Sequence, residues 1–433
     1  MNTPIFDFVR NYANSTTERL HMPAHKGKKL LGFESLDITE IKGADSLYEA
    51  NGIIKESEDN ASRLFGCPTF YSTEGSSLAI RAMLFLAKKN GVRKILAGAN
   101  AHKTFINTCA LLDLDVEWLY GESYLTLDID LSTLENVFIN NKPDALFITS
   151  PDYLGTVADI KSISELCKKY GIMLLVDCAH GAYLKFLPES LYPTDLGADI
   201  CCSSAHKTLP CLTGGAYLHV KDKGLAKYAK DALALFGSTS PSYLILASLD
   251  KVNLYISSEY KEKLTFFIEK AENLKKKLRA KGFTLFGEEA LKITICAKAY
   301  GYTGEELGEI LREKGIEPEF CDPDFTVLML SVENSLEKIE NALLSIKAKS
   351  PVIVFPPVLK KCEKVLSLKE ALFHESEEID VKDSLGRVLS TVSLSCPPAV
   401  PIIMCGEKIN ENTIQCFEYY KITKCKVVKE RFT

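Results

Sequence analysis

Residues Ile172–Val176 (IMLLV) are five apolar side chains in succession, entered from Gly171 and left at Asp177. A strand with one wet face alternates in polarity. A run without alternation requires apolar cover on both of its faces. Asp144–Thr149 (DALFIT) reads the same way, and shorter strands are expected at Ile95–Ala97 and Asp199–Cys202. Helical patterns separate them: Gly75–Asn90, Thr104–Leu111 and Ile163–Tyr170, the last closed by Gly171 as a natural C-cap. Apolar strands buried on both faces and alternating with helices predict an α/β fold with a mainly parallel sheet.

The 433 residues have room for two or three domains. Residues 1–45 read as an N-terminal arm over the main body, and 46–241 as the large α/β domain. Residues 242–350 read as a bridging helix followed by a small α/β domain. The bridging helix is the Lys- and Glu-rich stretch 242–280. The small domain runs strand Lys292–Ala297, helix Glu305–Lys314, strand Phe325–Ser331 and helix Leu336–Ile346. Pro351, Pro356 and Pro357 then introduce a C-terminal α+β part, 351–433, with short strands expected around Cys396–Cys405 and Lys424–Val428.

The charge balance excludes some partners. With 52 Lys+Arg against 57 Asp+Glu the net charge is -5, and the charges are interspersed. Non-specific nucleic-acid binding needs a basic face, which is missing here. No apolar run reaches the ~18 residues of a membrane helix. Asp7 and Arg10 interrupt any signal-peptide core. The 14 cysteines are scattered without a CxxC pair. Reduced thiols in a cytoplasm, acting as small buried apolar side chains, are therefore expected.

Three short motifs carry the chemistry. Ser72–Ser77 (STEGSS) lies at a loop-to-helix boundary, either a simple serine cap or an anion site at a helix N-terminus. Asp177–Ala182 (DCAHGA) starts at the end of a buried strand, where α/β sheets present ligands. Asp177 either caps the next helix or pairs with a cation, because an unpaired buried carboxylate is costly. Ser203–Thr208 (SSAHKT) places Lys207 beside His206 thirty residues further on, with Thr213–Ala216 (TGGA) as flexible backbone downstream. Taken together they suit one ligand, pyridoxal phosphate. Its phosphate would lie at the helix start, its pyridinium on Asp177, and its aldehyde on Lys207 as a Schiff base.

The order of these motifs resembles the fold-type I pyridoxal-phosphate enzymes, and within them the Orn/Lys/Arg decarboxylase family in its shorter form, without the N-terminal wing domain. His21–Gly27 (HMPAHKG), Asp37–Glu40 (DITE), Asp45, Leu47, Gly52–Ile54, Ala101–Thr104 (AHKT), Ser203–Leu209 (SSAHKTL), Gly315–Asp322 (GIEPEFCD) and Cys396–Glu407 (CPPAVPIIMCGE) all resemble family blocks. The likeness spans nearly the whole chain. It implies decarboxylation of arginine, lysine or ornithine to CO2 and an amine, in a homodimer with cofactor sites near the interface.

Residue by residue, the resemblance implies that Gly75, Ser76, Ser77 and Ser204 hold the phosphate and that His102 stacks on the ring. Asp177 would pair with the ring nitrogen. His180 and His206 would line the cofactor, and Lys207 would be the Schiff-base lysine and a proton donor to the product. Glu319, Asp322, Thr391 and Cys396 are candidates for substrate contacts, with Glu407 a further carboxylate. The chain departs from the family pattern at Ala24, Ala101, Thr391, Cys396 and Ala399. Thr391 offers a neutral hydroxyl where the family often has a Glu, which predicts weakened handling of basic amino acids. Transamination or elimination on the same fold is the competing chemistry, with Arg387 its candidate carboxylate-binding residue. A non-catalytic member of the family is the remaining alternative.

Overall fold

The computed structural model describes residues 1–121, 125–391 and 400–429. They group into two compact units, Met1–Val92 with Ile160–Leu264, and Arg93–Asp159 with Thr265–Thr433. In chain order the first seven strands are β1 (Thr69–Ser72), β2 (Lys94–Gly98), β3 (Asp115–Leu119), β4 (Ala145–Thr149), β5 (Met173–Asp177), β6 (Ile200–Ser203) and β7 (Ala216–Val220). The first four helices are α1 (Pro4–Ala13), α2 (Ile53–Phe65), α3 (Gly75–Lys89) and α4 (Lys103–Leu112).

In the first unit the strands run β1-β7-β6-β5. β5 and β6 are parallel, with Asp177 opposite Cys202. β7 pairs antiparallel with both β6 and β1, an edge the apolar pattern alone does not distinguish. Every side chain of β6 and β7 is buried, so neither segment alternates in polarity. α3 packs on these two strands. It buries Leu78, Ile80, Met83, Leu84 and Leu86, each contributing about 1.5–3 kcal/mol of apolar burial.

Residues 1–45, expected as an arm, hold a helix that their local pattern does not announce. α1 has Pro4 in its first turn and buries Ile5 and Val9. Its N-cap Thr3 supplies no side-chain cap. Asp250 does so instead, its Oδ2 accepting the N–H groups of Ile5 and Phe6 at 2.9 and 3.0 Å. The cap is contributed from 245 positions away, out of reach of any sequence window. The expected helical stretch 242–280 is formed, as Tyr243–Tyr255 and Lys261–Lys281 joined without a break by a π-helical turn at Ile256–Tyr260.

In the second unit β2 pairs in parallel with β3 and with β4. A four-stranded antiparallel sheet contains β8 (Leu285–Phe286), β9 (Lys292–Cys296), β10 (Phe320–Cys321) and β11 (Phe325–Met329), in the order β10-β11-β9-β8. Towards the C-terminus β12 (Ser376–Asp380) pairs antiparallel with β13 (Lys424–Val428). The strand expected around Cys396–Cys405 is not formed by its described residues, 400–405. Pro401 has no N–H to give a ladder, and Val400, Ile402 and Ile403 enter an apolar core with Leu389, Phe417 and Val427 as irregular chain. Among the described residues, no helix is long and apolar enough to cross a membrane.

Candidate active site

β5 and β6 run in the same direction, so Asp177 and Ser203 end neighbouring strands at the same carboxyl edge. The two loops that follow are tied together. Cys178 donates its N–H to the Cys202 carbonyl at 2.9 Å, and Ser204 donates to the Ala179 carbonyl at 3.3 Å. The second loop turns at once into a single helical turn, Ala205–Thr208, which carries Lys207. Motifs thirty residues apart in sequence thereby converge.

Asp177 is 2% exposed. One oxygen, Oδ1, accepts the Ala179 N–H at 3.1 Å and the Cys202 S–H at 3.5 Å. Burial raises this carboxyl above the usual carboxylate range, against the opposing pull of the Lys207 charge. Lys207 Nζ lies 2.9 Å from His180 Nε2. The cation, the imidazole and the buried anion therefore belong to one electrostatic group.

The start of α3 supplies the second half of the site. Gly75 has φ +69° and donates its N–H to the Gly214 carbonyl at 2.8 Å. Gly214 has φ +97°, and a Cβ there would lie 2.7 Å from the Thr73 carbonyl oxygen. Both positions therefore require glycine. Glu74, at the N-cap, makes no capping bond; it accepts the Ser238 N–H at 2.7 Å instead. The Ser204 hydroxyl likewise caps nothing and lies 2.5 Å from the Ser76 hydroxyl. Ser77 follows in the same helical turn. His206 Nδ1 is 3.0 Å from the Gly215 carbonyl. A carbonyl only accepts, so Nδ1 carries the proton, leaving Nε2 as the acceptor when the ring is neutral. A Cβ on Gly75 would lie 4.0 Å from His206 Cε1, so the imidazole faces the helix start.

The structure thus brings together Gly75, Ser76, Ser77, Ser204, His206, Asp177, His180 and Lys207 in the first unit. The remaining candidates belong to the second. His102 is the N-cap of α4, its Nδ1 accepting the Thr104 N–H at 3.2 Å. Glu319 is exposed and accepts the Tyr153 hydroxyl at 3.2 Å. Asp322 is buried in a turn, with Oδ1 accepting the N–H groups of Asp324 and Phe325 at 2.8 and 2.7 Å. Glu407 is buried, taking the Tyr120 hydroxyl at 2.6 Å and the Met404 N–H at 3.1 Å. Arg387 is committed to Glu377 at 2.6 Å and to the Val428 carbonyl at 3.0 Å. Thr391 is partly exposed, while Cys396 and Ala399 lie outside the described residues.

One participant is not legible in the sequence: Cys202, which bonds Asp177. The Gly214 carbonyl, which holds Gly75, belongs to the Thr213–Ala216 segment expected as flexible backbone. Nothing in the ICCS string separates Cys202 from its neighbour Cys201.

The donor set fits pyridoxal phosphate. Helix N–H groups without a side-chain cap and two hydroxyls suit a phosphate, the buried carboxylate suits a pyridinium, and an amine beside an imidazole suits an aldehyde. Comparison with known proteins agrees with this donor set. The sequence profile described as "Orn/Lys/Arg decarboxylase, major domain" matches residues 3–299, and that of the family's C-terminal domain matches 360–430. The chain is 29% identical over 461 residues to an arginine decarboxylase of Halalkalibacterium halodurans, covering 95% of this chain and 92% of that one. It is 28% identical over 458 residues to an arginine decarboxylase of Bacillus subtilis, covering 95% and 92%. In structure it resembles the Francisella novicida lysine decarboxylase LdcF, with a TM-score of 0.80 at 16% identity, over 99% of this chain and 81% of that one. The fold is that of the fold-type I enzymes, a mainly parallel α/β sheet with a smaller C-terminal sheet.

Proposed function

As the chain belongs to the Orn/Lys/Arg decarboxylase family, we propose that it binds pyridoxal phosphate in its first unit and decarboxylates arginine, lysine or ornithine to an amine. The observation that carries this reading is the convergence of Asp177, Lys207 and His180 where β5 and β6 end. When bound, the cofactor supplies an electron sink for the pair released as the α-carboxylate leaves as CO2.

Each residue has a task that its surroundings support. Ser76, Ser77 and Ser204 hold the phosphate at the helix start, where the positive end of the helix dipole adds to their hydroxyls. Asp177 would pair with the ring nitrogen and favour its protonated form, as an opposite charge favours the charged form. His180 would take up a proton from the Lys207 ammonium, leaving a neutral amine whose lone pair could hold the cofactor. Lys207 afterwards returns a proton to the product carbon. His206 lines the helix start. The resemblance also supports a homodimer. Arg387, already paired with Glu377, gives no support to transamination.

Incubation of the purified protein with pyridoxal phosphate and an amino-acid panel tests the proposal. CO2 and the corresponding amine are expected from at least one basic amino acid. Keto-acid products, or turnover confined to uncharged amino acids, would overturn it.

A further inference from the structure

We propose that Cys202 is a positioning residue whose thiol holds the Asp177 carboxylate in place and keeps it ionised for the cofactor. The inference rests on the proposed cofactor role of Asp177. The parallel register sets Cys202 directly opposite Asp177 on the neighbouring strand. Its Sγ lies 3.5 Å from Asp177 Oδ1, the same oxygen that accepts the Ala179 N–H at 3.1 Å. Two donors on one oxygen fix the rotation of the carboxylate.

Cys202 is fully buried, and its thiol is held protonated by burial and by the adjacent Asp177 charge. It is therefore a neutral S–H donor that stays in place across the working pH range, rather than a nucleophile. The charged and titratable groups around Asp177 are Lys207, which favours its ionised form, the Cys202 thiol, and the neighbouring Cys201 thiol, which burial also keeps protonated. His180 acts through its bond to Lys207. Of the two cysteines in the strand, only Cys202 bonds the carboxylate; the Cys201 thiol is directed to the Cys202 carbonyl at 3.5 Å. An S–H donor is weak, so its loss leaves the site assembled but makes the carboxylate more basic.

The test is equilibrium binding of pyridoxal phosphate to the full-length protein as a function of pH, for the wild type and for Cys202→Val, Cys202→Ala and Cys202→Ser. Cofactor affinity falls at acid pH as Asp177 is neutralised. In the Val and Ala variants this acid limb should move up by about half a pH unit, with affinity about twofold lower at the original midpoint. Cys202→Ser, which keeps a donor, should restore the wild-type limb. Two aliphatic variants of different volume separate a lost donor from disturbed packing, which would change their melting temperatures without moving the limb. Superimposable pH profiles for all four proteins would overturn the role of Cys202 while leaving the cofactor reading intact. A wild type that binds no pyridoxal phosphate would overturn both.

Discussion

Asp177 in the first unit and Asp322 in the second are both buried carboxyl groups raised by desolvation, Asp322 to about 7. Their surroundings differ. Asp177 shares an electrostatic neighbourhood with Lys207, whose amine touches an imidazole, at the open edge of two parallel strands. Asp322 accepts two N–H groups of its own turn, between strands of an antiparallel sheet. Glu407 and Arg387 are likewise committed, to Tyr120 and Met404 and to Glu377. A perturbed carboxyl alone does not separate chemistry from architecture. A cationic partner that itself touches an imidazole, as Lys207 does, is what marks Asp177.

The largest expected contrast comes from Lys207. Lys207→Ala should lower decarboxylation by about three orders of magnitude or more, since a nucleophile has no substitute in the site. Borohydride reduction of the loaded wild type should label Lys207. A label mapped to another lysine would break the assignment.

Asp177→Asn should lower turnover by about two to three orders of magnitude while the melting temperature stays within a few degrees. Near-normal turnover would remove the distinction between Asp177 and the second-unit carboxylates.

Asp322→Asn should do the reverse. Because the carboxyl sits near 3.8 in the unfolded chain and about 7 in the fold, the native state holds its proton to higher pH. Wild-type stability therefore declines as pH rises from about 4 to about 7 and stays lower above that. The Asn variant keeps an acceptor for the turn but lacks the charge. Its urea midpoint should show a flatter slope across this window, and it should be the more stable protein at pH 8, by at most a few kcal/mol. Turnover should change less than twofold. A large loss of turnover would move Asp322 from architecture to chemistry.

The smallest effect is expected at Glu319, exposed where the other two second-unit candidates, Asp322 and Glu407, are buried. Glu319→Gln should raise KM for a basic amino acid by about two- to fivefold at unchanged kcat, the scale of a solvent-exposed ion pair. No change in KM would remove it from the substrate contacts.

Much of the first-unit site was legible in the chain itself. The end of an unbroken apolar strand located Asp177, and Lys207 follows in a similar strand-then-loop context. Those signals are local, because strand burial is written in consecutive residues. The second unit was less legible. Glu319, Asp322 and Glu407 look alike as letters, and only their hydrogen-bond partners tell them apart. α1 was missed for the same reason, since its capping carboxylate is Asp250.

The sequence by itself determined the alternating α/β layout, the glycines that the α3 entry requires and the identities of the groups that could hold pyridoxal phosphate. Each of these depends on side-chain type and near-neighbour spacing. Tertiary structure alone decided that Cys202 rather than Cys201 meets Asp177, and that Ser204 faces Ser76 rather than capping its own helix turn. It also decided that Arg387 is held by Glu377. Strand register and loop closure join residues that lie far apart in the chain, and a hydrogen bond depends on distances of a few tenths of an ångström that no local pattern encodes.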